Sequence, residues 1–489
     1  MLEIAFGKRV VGSGLLLQKF SGQKFLRQKF LGQKFYGFGL FLPGVVAGGL
    51  FSWGRWQPIE GAQLGTVDIR PQWESVWIRE TIARDPAAEE IVSQYVSGLS
   101  AAGYQTERQG VWVAADQYPI AQHQGNARHS AASITKVATT LAALEVWGAE
   151  HRFETLVGYQ GTLADGVLQG DLIIEGGGDP LFVWEEAIAL ANTLQQAGLQ
   201  RVTGSLIIAG PFNMNFETGP QDSGELLKEA FNRDAWGFDV ERAYLDMPSD
   251  TPTPSLQIDG GIRTEPNSYK NRANGWLVSH QSLPLVAILK AMNIYSNNPM
   301  AEQVADTLGG PEAVMRAVQT STGIPPEEIS LVNGSGLGEE NQMSARAAVA
   351  LFQRIHYLLR TSSQDSTGTS YTISDIFPVS GADGGTIEDR RIPGNAVVKT
   401  GSLAVVSALA GALPTQNRGV VWFSLLNYGN GLDNLRSRQD QVLNALEQQW
   451  GKAEELPPEL ATTVIIGTDP YRFGDASRNK LTAQTPSEG

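Results

Sequence analysis

Three short polar motifs, Ser133-Ile134-Thr135-Lys136, Ser296-Asn297-Asn298 and Lys399-Thr400-Gly401, follow one another along the chain, each where the hydrophobic period changes. Ser133 opens a helical pattern in which Ile134, Val137, Leu141, Leu144 and Val146 recur every third or fourth position until Gly148 stops it. Ser296-Asn297-Asn298 interrupts an apolar helical stretch over 281–294, and Pro299 begins the next helix. The third motif follows Val397-Val398 as a strand, with further strand patterns at 407–413 and 420–426. About 160 residues separate the first two motifs, more than one crossover requires. The spacing therefore predicts a discontinuous domain, residues 75–155 and 276–450, around an inserted β-rich domain, residues 156–275. An antiparallel sheet flanked by helices is the expected α/β (α+β) architecture. Ser21 to Lys24 and Ser477 to Lys480 also fit S-x-x-K, but the first lies in a basic repeat and the second in a polar tail.

The chemistry explains the spacing. Residues three apart on a helix share a face, so Lys136 lies one turn from Ser133 with its amine in reach of the hydroxyl. A serine hydroxyl is a weak nucleophile and needs a base beside it. A free lysine titrates near about 10.4, so Lys136 serves as that base only if burial and a second cation, Lys399, favour its neutral form. The helix start directs the Ser133 N–H toward a reacting carbonyl, and the Ser402 N–H on the strand edge supplies the second half of an oxyanion hole. Ser296 would relay a proton to the leaving amine and Asn298 would hold the substrate amide. Lys399 and Thr400 offer a cation and a hydroxyl to a terminal carboxylate, and Gly401 lets the strand backbone come close. Taken singly, Ser133 and Asn298 read as helix caps and Lys399 as a solvated strand end; the ordered set in these contexts outweighs those readings.

Composition removes other chemistries. There is no cysteine, which excludes disulfides, thiolate zinc sites and a Cys nucleophile. The five histidines show no H-E-x-x-H spacing, and G-x-S-x-G does not occur. Neither a metal nor a cofactor is required. Residues 1–60 carry eight Lys/Arg against two acids, which leaves the rest of the chain at -20 out of a total of -14. Such an acidic body is a poor partner for nucleic acid. Gln-Lys-Phe recurs four times at a period of five within 18–35, matching neither helix nor strand, as in an expanded leader or a start set too far upstream. An uncharged run at 35–53 follows. Residues 1–60 therefore read as a basic leader with a signal or inner-membrane anchor that places the body outside the cytoplasm, in the periplasm. From 452 to 489 the chain is polar and Pro-rich and reads as a disordered tail.

With these motifs the chain resembles the class C low-molecular-weight penicillin-binding proteins, the D-alanyl-D-alanine carboxypeptidase/endopeptidase family. Gly170-Asp171-Leu172, Gly176 to Leu181, Ser296 to Glu302 and Gly381 to Gly385 follow that family's habits. The resemblance implies a penicillin-binding/β-lactamase-like serine transferase domain. It implies action on peptidoglycan muropeptides through an acyl-enzyme that β-lactams trap covalently. By position it makes Ser133 the nucleophile, Lys136 the general base, Ser296 and Asn298 the second motif, and Lys399, Thr400 and Gly401 the third. Two features depart from the family. Asn333 and Gly338 replace its usual Asp and Ser around Gly-Ser-Gly-Leu, and the strand pattern expected near 216–250 is missing. A β-lactamase reading would need Glu328 as a deacylating base, but its place after Pro325-Pro326 reads as a solvated helix start. A silent cell-wall scaffold is the remaining alternative. The glycine-rich stretch Asn333 to Gly338 reads as a plain turn.

Overall fold

The computed structural model describes residues 85–265, 268–362 and 370–482. The chain divides into units Met1–Ile78 and Arg79–Gly489; the first, with the expected leader and the 35–53 segment, lies outside the described residues. Among the described residues no helix is long and apolar enough to cross a membrane.

Helix α1 (Pro86–Ala101) starts at Asp85, whose carboxylate caps Ala87 and Ala88, and leads to the hairpin β1 (Gln109–Ala115) and β2 (Tyr118–His123). Short β3 (Arg128–Ser130) precedes α2 (Thr135–Trp147). Next come β4 (Glu154–Ala164), β5 (Val167–Glu175), α3 (Trp184–Gln196), β6 (Arg201–Val202) and β7 (Leu206–Ala209). They are followed by α4 (Pro220–Ala230), α5 (Phe238–Leu245), β8 (Gln257–Ile258), β9 (Ile262–Glu265) and β10 (Gly275–Gln281). The chain then forms α6 (Leu285–Tyr295), α7 (Asn298–Thr307), α8 (Pro311–Thr322), β11 (Ile329–Ser330), β12 (Gln342–Ser344) and α9 (Ala345–Ser362). It closes with β13 (Val397–Leu403), β14 (Val406–Thr415), β15 (Gly419–Tyr428), α10 (Leu432–Trp450) and β16 (Asn479–Leu481).

The catalytic sheet runs β13-β14-β15-β1-β2 and is antiparallel throughout. Its inner strands β1 and β14 are buried at every position, and apolar or small residues fill most of both faces rather than alternating with charged ones. Helices α1 and α10 cover one face through Val92, Leu99, Leu435, Leu443 and Leu446, packed on Val111, Phe423 and Leu425. Helix α9 packs against the other face, and α2 runs among α7, α8 and α9. A fully buried phenylalanine such as Phe423 typically costs about 3–5 kcal/mol when cut to Ala. Edge strand β13 keeps one side of its backbone unpaired within the sheet.

The insert differs from expectation in its bounds. Its sheet runs β16-β10-β4-β5-β6-β8, with β7 beside β5 and β9 beside β7. Helix α3 packs against α4 and α5 over an apolar core that includes Leu172, Leu190, Leu206 and Leu227. It is thus β-rich as expected, an eight-stranded sheet, with helices packed on it. It begins at Glu154 and takes in β10, which pairs with β4 and which the sequence reading had assigned to the other domain. Helix α6 starts only at Leu285, after Pro284, so the apolar run at 281–294 merged a strand end with a helix.

The tail is also corrected. Residues 452–482 are ordered: Leu460, Val464 and Tyr471 are buried, and the Thr463 and Val464 N–H groups donate to Asp375. Strand β16 adds to β10 with His280 opposite Asn479, and Arg478 forms a buried ion pair with Glu186 on α3. A polar composition produced disorder in expectation because its partners lie far back in sequence. Residues 483–489 lie outside the described residues.

Candidate active site

Ser133 sits in a single 3-10 turn, Ala132–Ile134, that runs directly into α2. The preceding Ala132 has φ +45°, a region non-glycine residues seldom occupy and one that marks a held backbone. Two neighbours hold it. The Ala131 N–H donates to the Asn341 carbonyl (2.9 Å), and Gly336 lies so close to the Ala132 carbonyl that any side chain there would collide. On the other side, a Cβ at Gly401 would lie 3.0 Å from the Ser133 nitrogen. The edge of β13 thereby comes beside the Ser133 amide.

Lys136, fully buried, donates to Ser133 Oγ (3.1 Å), Asn298 Oδ1 (2.7 Å) and the Ser335 carbonyl (2.8 Å). All three partners are neutral. Burial lowers its pKa to about 7, against a smaller upward pull from Glu302. Burial is thus one of the two expected causes, the other being the charge of Lys399. Its own pKa instead falls well below the usual lysine value, through burial first and the charge of Lys136 second. Nor is Lys399 a solvated strand end: it is wholly buried, donating to Ser296 Oγ (3.0 Å) and the Thr400 carbonyl (2.9 Å).

The second motif divides its labour. Ser296 ends α6 in the left-handed region, φ +52°, which turns the chain sharply and aims its hydroxyl at Lys399. Asn297, not Asn298, caps α7 by accepting from the Met300 N–H (2.9 Å). That leaves Asn298 for Lys136. The Thr400 hydroxyl meets that of Thr386 (2.8 Å), and the Ser402 hydroxyl accepts from Arg436 Nη2 (3.0 Å). Ser133, Ser296, Thr400, Ser402 and Arg436 all border one open cleft of about 920 Å³. All eight residues singled out from the sequence therefore converge, six of them through direct hydrogen bonds to one another.

Three contributors were not foreseen. The turn Asn333 to Gly338 is a wall of the site: Glu302 accepts from the Gly334 and Ser335 N–H groups (2.9 and 3.1 Å), and this aims the Ser335 carbonyl at Lys136. Asn333, the departure from the family's Asp, closes the turn by accepting from the Gly336 N–H (2.8 Å). Buried Lys290 pairs with Asp383 (2.6 Å) and anchors the loop that carries Thr386. The Glu302 and Asp383 segments carried a signal as parts of family-like strings, and the turn carried one as a variant of the family's Gly-Ser-Gly-Leu segment, but none pointed to a role in the site. Glu328 is not solvated: it is buried against Arg346 and Ser344, and none of its hydrogen bonds reaches Ser133.

The model of the D-Ala-D-Ala carboxypeptidase 3 (S13) family matches residues 102–212 and 256–449. The unmatched interval contains α4 and α5, where the expected strand pattern was missing. The carboxypeptidase DacB of Mycolicibacterium smegmatis is 26% identical over 61% of this chain and 71% of its own length. The D-alanyl-D-alanine carboxypeptidase of Actinomadura sp. (strain R39) is 24% identical over 76% and 84%. In fold, the predatory endopeptidase Bd3459 of Bdellovibrio bacteriovorus superimposes with a TM-score of 0.60 at 20% identity, over 76% of this chain and 99% of that one. Its penicillin G-acylated form is also known.

Proposed function

Since the chain belongs to the D-Ala-D-Ala carboxypeptidase 3 (S13) family, we propose that it is a serine-type D,D-peptidase whose acyl-enzyme forms on Ser133. The substrate class is the peptidoglycan stem peptide, cut at a terminal D-Ala-D-Ala bond or at a D,D cross-link. Neutral Lys136 takes the Ser133 proton as Oγ bonds to the carbonyl carbon of the penultimate D-alanine. The resulting oxyanion lies between the Ser133 and Ser402 N–H groups. As the C–N bond breaks, Ser296, held by Lys399, passes a proton to the departing amine. Water then attacks the ester and frees Ser133. With a β-lactam the departing nitrogen stays tethered, so the ester persists. Asn298, its oxygen taken by Lys136, keeps its NH2 group for the substrate amide.

The observation that carries this reading is Lys136, bonded at once to the nucleophile and to the second motif and titrating near 7. Incubation with penicillin and intact-mass measurement is expected to show one adduct per chain and none on Ser133→Ala; an adduct on that variant would remove Ser133 from the mechanism. The basic leader and the uncharged run at 35–53 support export to the periplasm. A reporter fused after residue 60 is then active only outside the cytoplasm, and cytoplasmic activity would overturn the assignment.

A further inference from the structure

A D,D-peptide places its terminal carboxylate on the carbon attached to the departing nitrogen. The group that reads it must therefore lie on the leaving side of Ser133, near Ser296. Lys399 is the obvious cation by motif, but it is wholly buried and directs its donors at Ser296 and the Thr400 carbonyl. Its position suits proton relay better than contact with an incoming anion.

The cleft offers another cation. Arg436, on the second turn of α10, donates through Nη2 to Ser402 Oγ and borders the same cleft as Ser296 and Thr400. Its carboxylate neighbour is Asp433, 3.4 Å from Nη1 and 99% exposed, on a guanidinium side chain that is itself 36% exposed. Such a solvated pair contributes little, so the guanidinium keeps most of its attraction for an anion. Arg390 in the same wall is the opposite case. It is locked on Asp440 at 2.6 Å with both side chains under 10% exposed.

We propose that Arg436, together with the Thr400 and Ser402 hydroxyls, binds the free carboxylate of the departing D-amino acid. This rests on the D,D-peptidase reading above. The planar fork of a guanidinium matches a carboxylate in a way an ammonium does not, and two hydroxyls from β13 complete an anion cradle. Penicillin's carboxylate occupies the same cradle during acylation.

The test measures kcat/KM for an N-acylated D-Ala-D-Ala peptide and its C-terminal amide, on the original protein, Arg436→Ala and Arg436→Lys. A second arm measures acylation of the same proteins by penicillin and by its methyl ester. Arg436→Ala is expected to lose about tenfold or more on the free acids and much less on the amide and ester, since breaking a close charge pair typically removes at least one decade. Arg436→Lys recovers part of that loss. An equal proportional loss on acid and neutral forms, or none, overturns the role of Arg436. An original protein that neither cleaves the peptide nor acquires the adduct instead overturns the peptidase reading itself, and the proposal with it.

Discussion

Two kinds of buried cation stand in contrast, one at the seam of tail and insert and one in the active site. Where the tail meets the insert, Arg478 is 7% exposed and lies against Glu186 at 3%, charge on charge. In the catalytic site Lys136 and Lys399 are more deeply buried and hydrogen bond only to hydroxyls, an amide and carbonyls. A paired buried ion keeps its charge, whereas an unpaired one is pushed toward neutrality. The first arrangement holds pieces together. The second destabilises the ammonium form, as the proposed role of Lys136 as a base requires, a local disagreement with stability of the kind found at functional sites.

The contrast can be broken experimentally. The largest expected effect is in the site: Lys136→Arg, which stays protonated at any working pH, is expected to lower penicillin acylation by roughly 10² to 10⁴, the usual weight of a general base. Its melting temperature, measured in parallel, separates lost chemistry from lost fold. Most of the acylation rate surviving would mean Lys136 is not the base. The insert gives the next largest effect. Arg478→Ala strands the Glu186 carboxylate and is expected to cost about 3–5 kcal/mol in denaturant unfolding, with the folded fraction still acylated. A loss below about 1 kcal/mol would show that the pair is not a closed, buried one.

A pH series sharpens the same comparison. The folded pKa of Lys136 lies near 7 and the unfolded one near about 10.4, so between them the unfolded state holds more protons and stability rises with pH. Below 7 both states are protonated and the penalty is full. Lys136→Met is therefore expected to be more stable than the original protein at about pH 6, an advantage that shrinks toward about pH 10 with a slope approaching 1.4 kcal/mol per unit. A pH-independent difference would refute the depressed pKa. Acylation itself is expected to rise through about pH 7 as the amine becomes neutral. Smallest of all are Phe238→Ser and Leu245→Lys on exposed α5, expected to change stability by no more than about 0.5 kcal/mol and acylation not at all; a larger shift would indicate that α5 is covered by something.

Local pattern carried much of this molecule. The helix start at Ser133, the break at Ser296 and the Lys399 strand were legible because each is a change of period, visible within a dozen residues. The sheet and its covering helices followed from the apolar runs. What stayed hidden depends on distant partners: the Asn333 to Gly338 turn looks like any glycine-rich turn until Glu302 fixes it against Lys136. Glu328 looks solvated until Arg346 covers it, and the tail looks disordered until Glu186 and β10 receive it. The burial of Lys399 was hidden for the same reason, since a lysine on an edge strand is ordinarily wet.

The wide separation of paired strands bears on when the site can come into being. Gln109 of β1 meets Asn427 of β15 across 318 positions. During synthesis β1 therefore has only β2 to pair with, and a lone hairpin is marginally stable. The insert's β4 to β9, by contrast, find their neighbours nearby in sequence and can settle while later residues are still being added. Competence to form the acyl-enzyme is thus acquired late and abruptly, once residues 397–428 have arrived to clamp β1 and the turn that carries Ser133. A nascent chain stopped short of them would hold an insert still lacking β16 and the Arg478 partner of Glu186, and an unreactive serine.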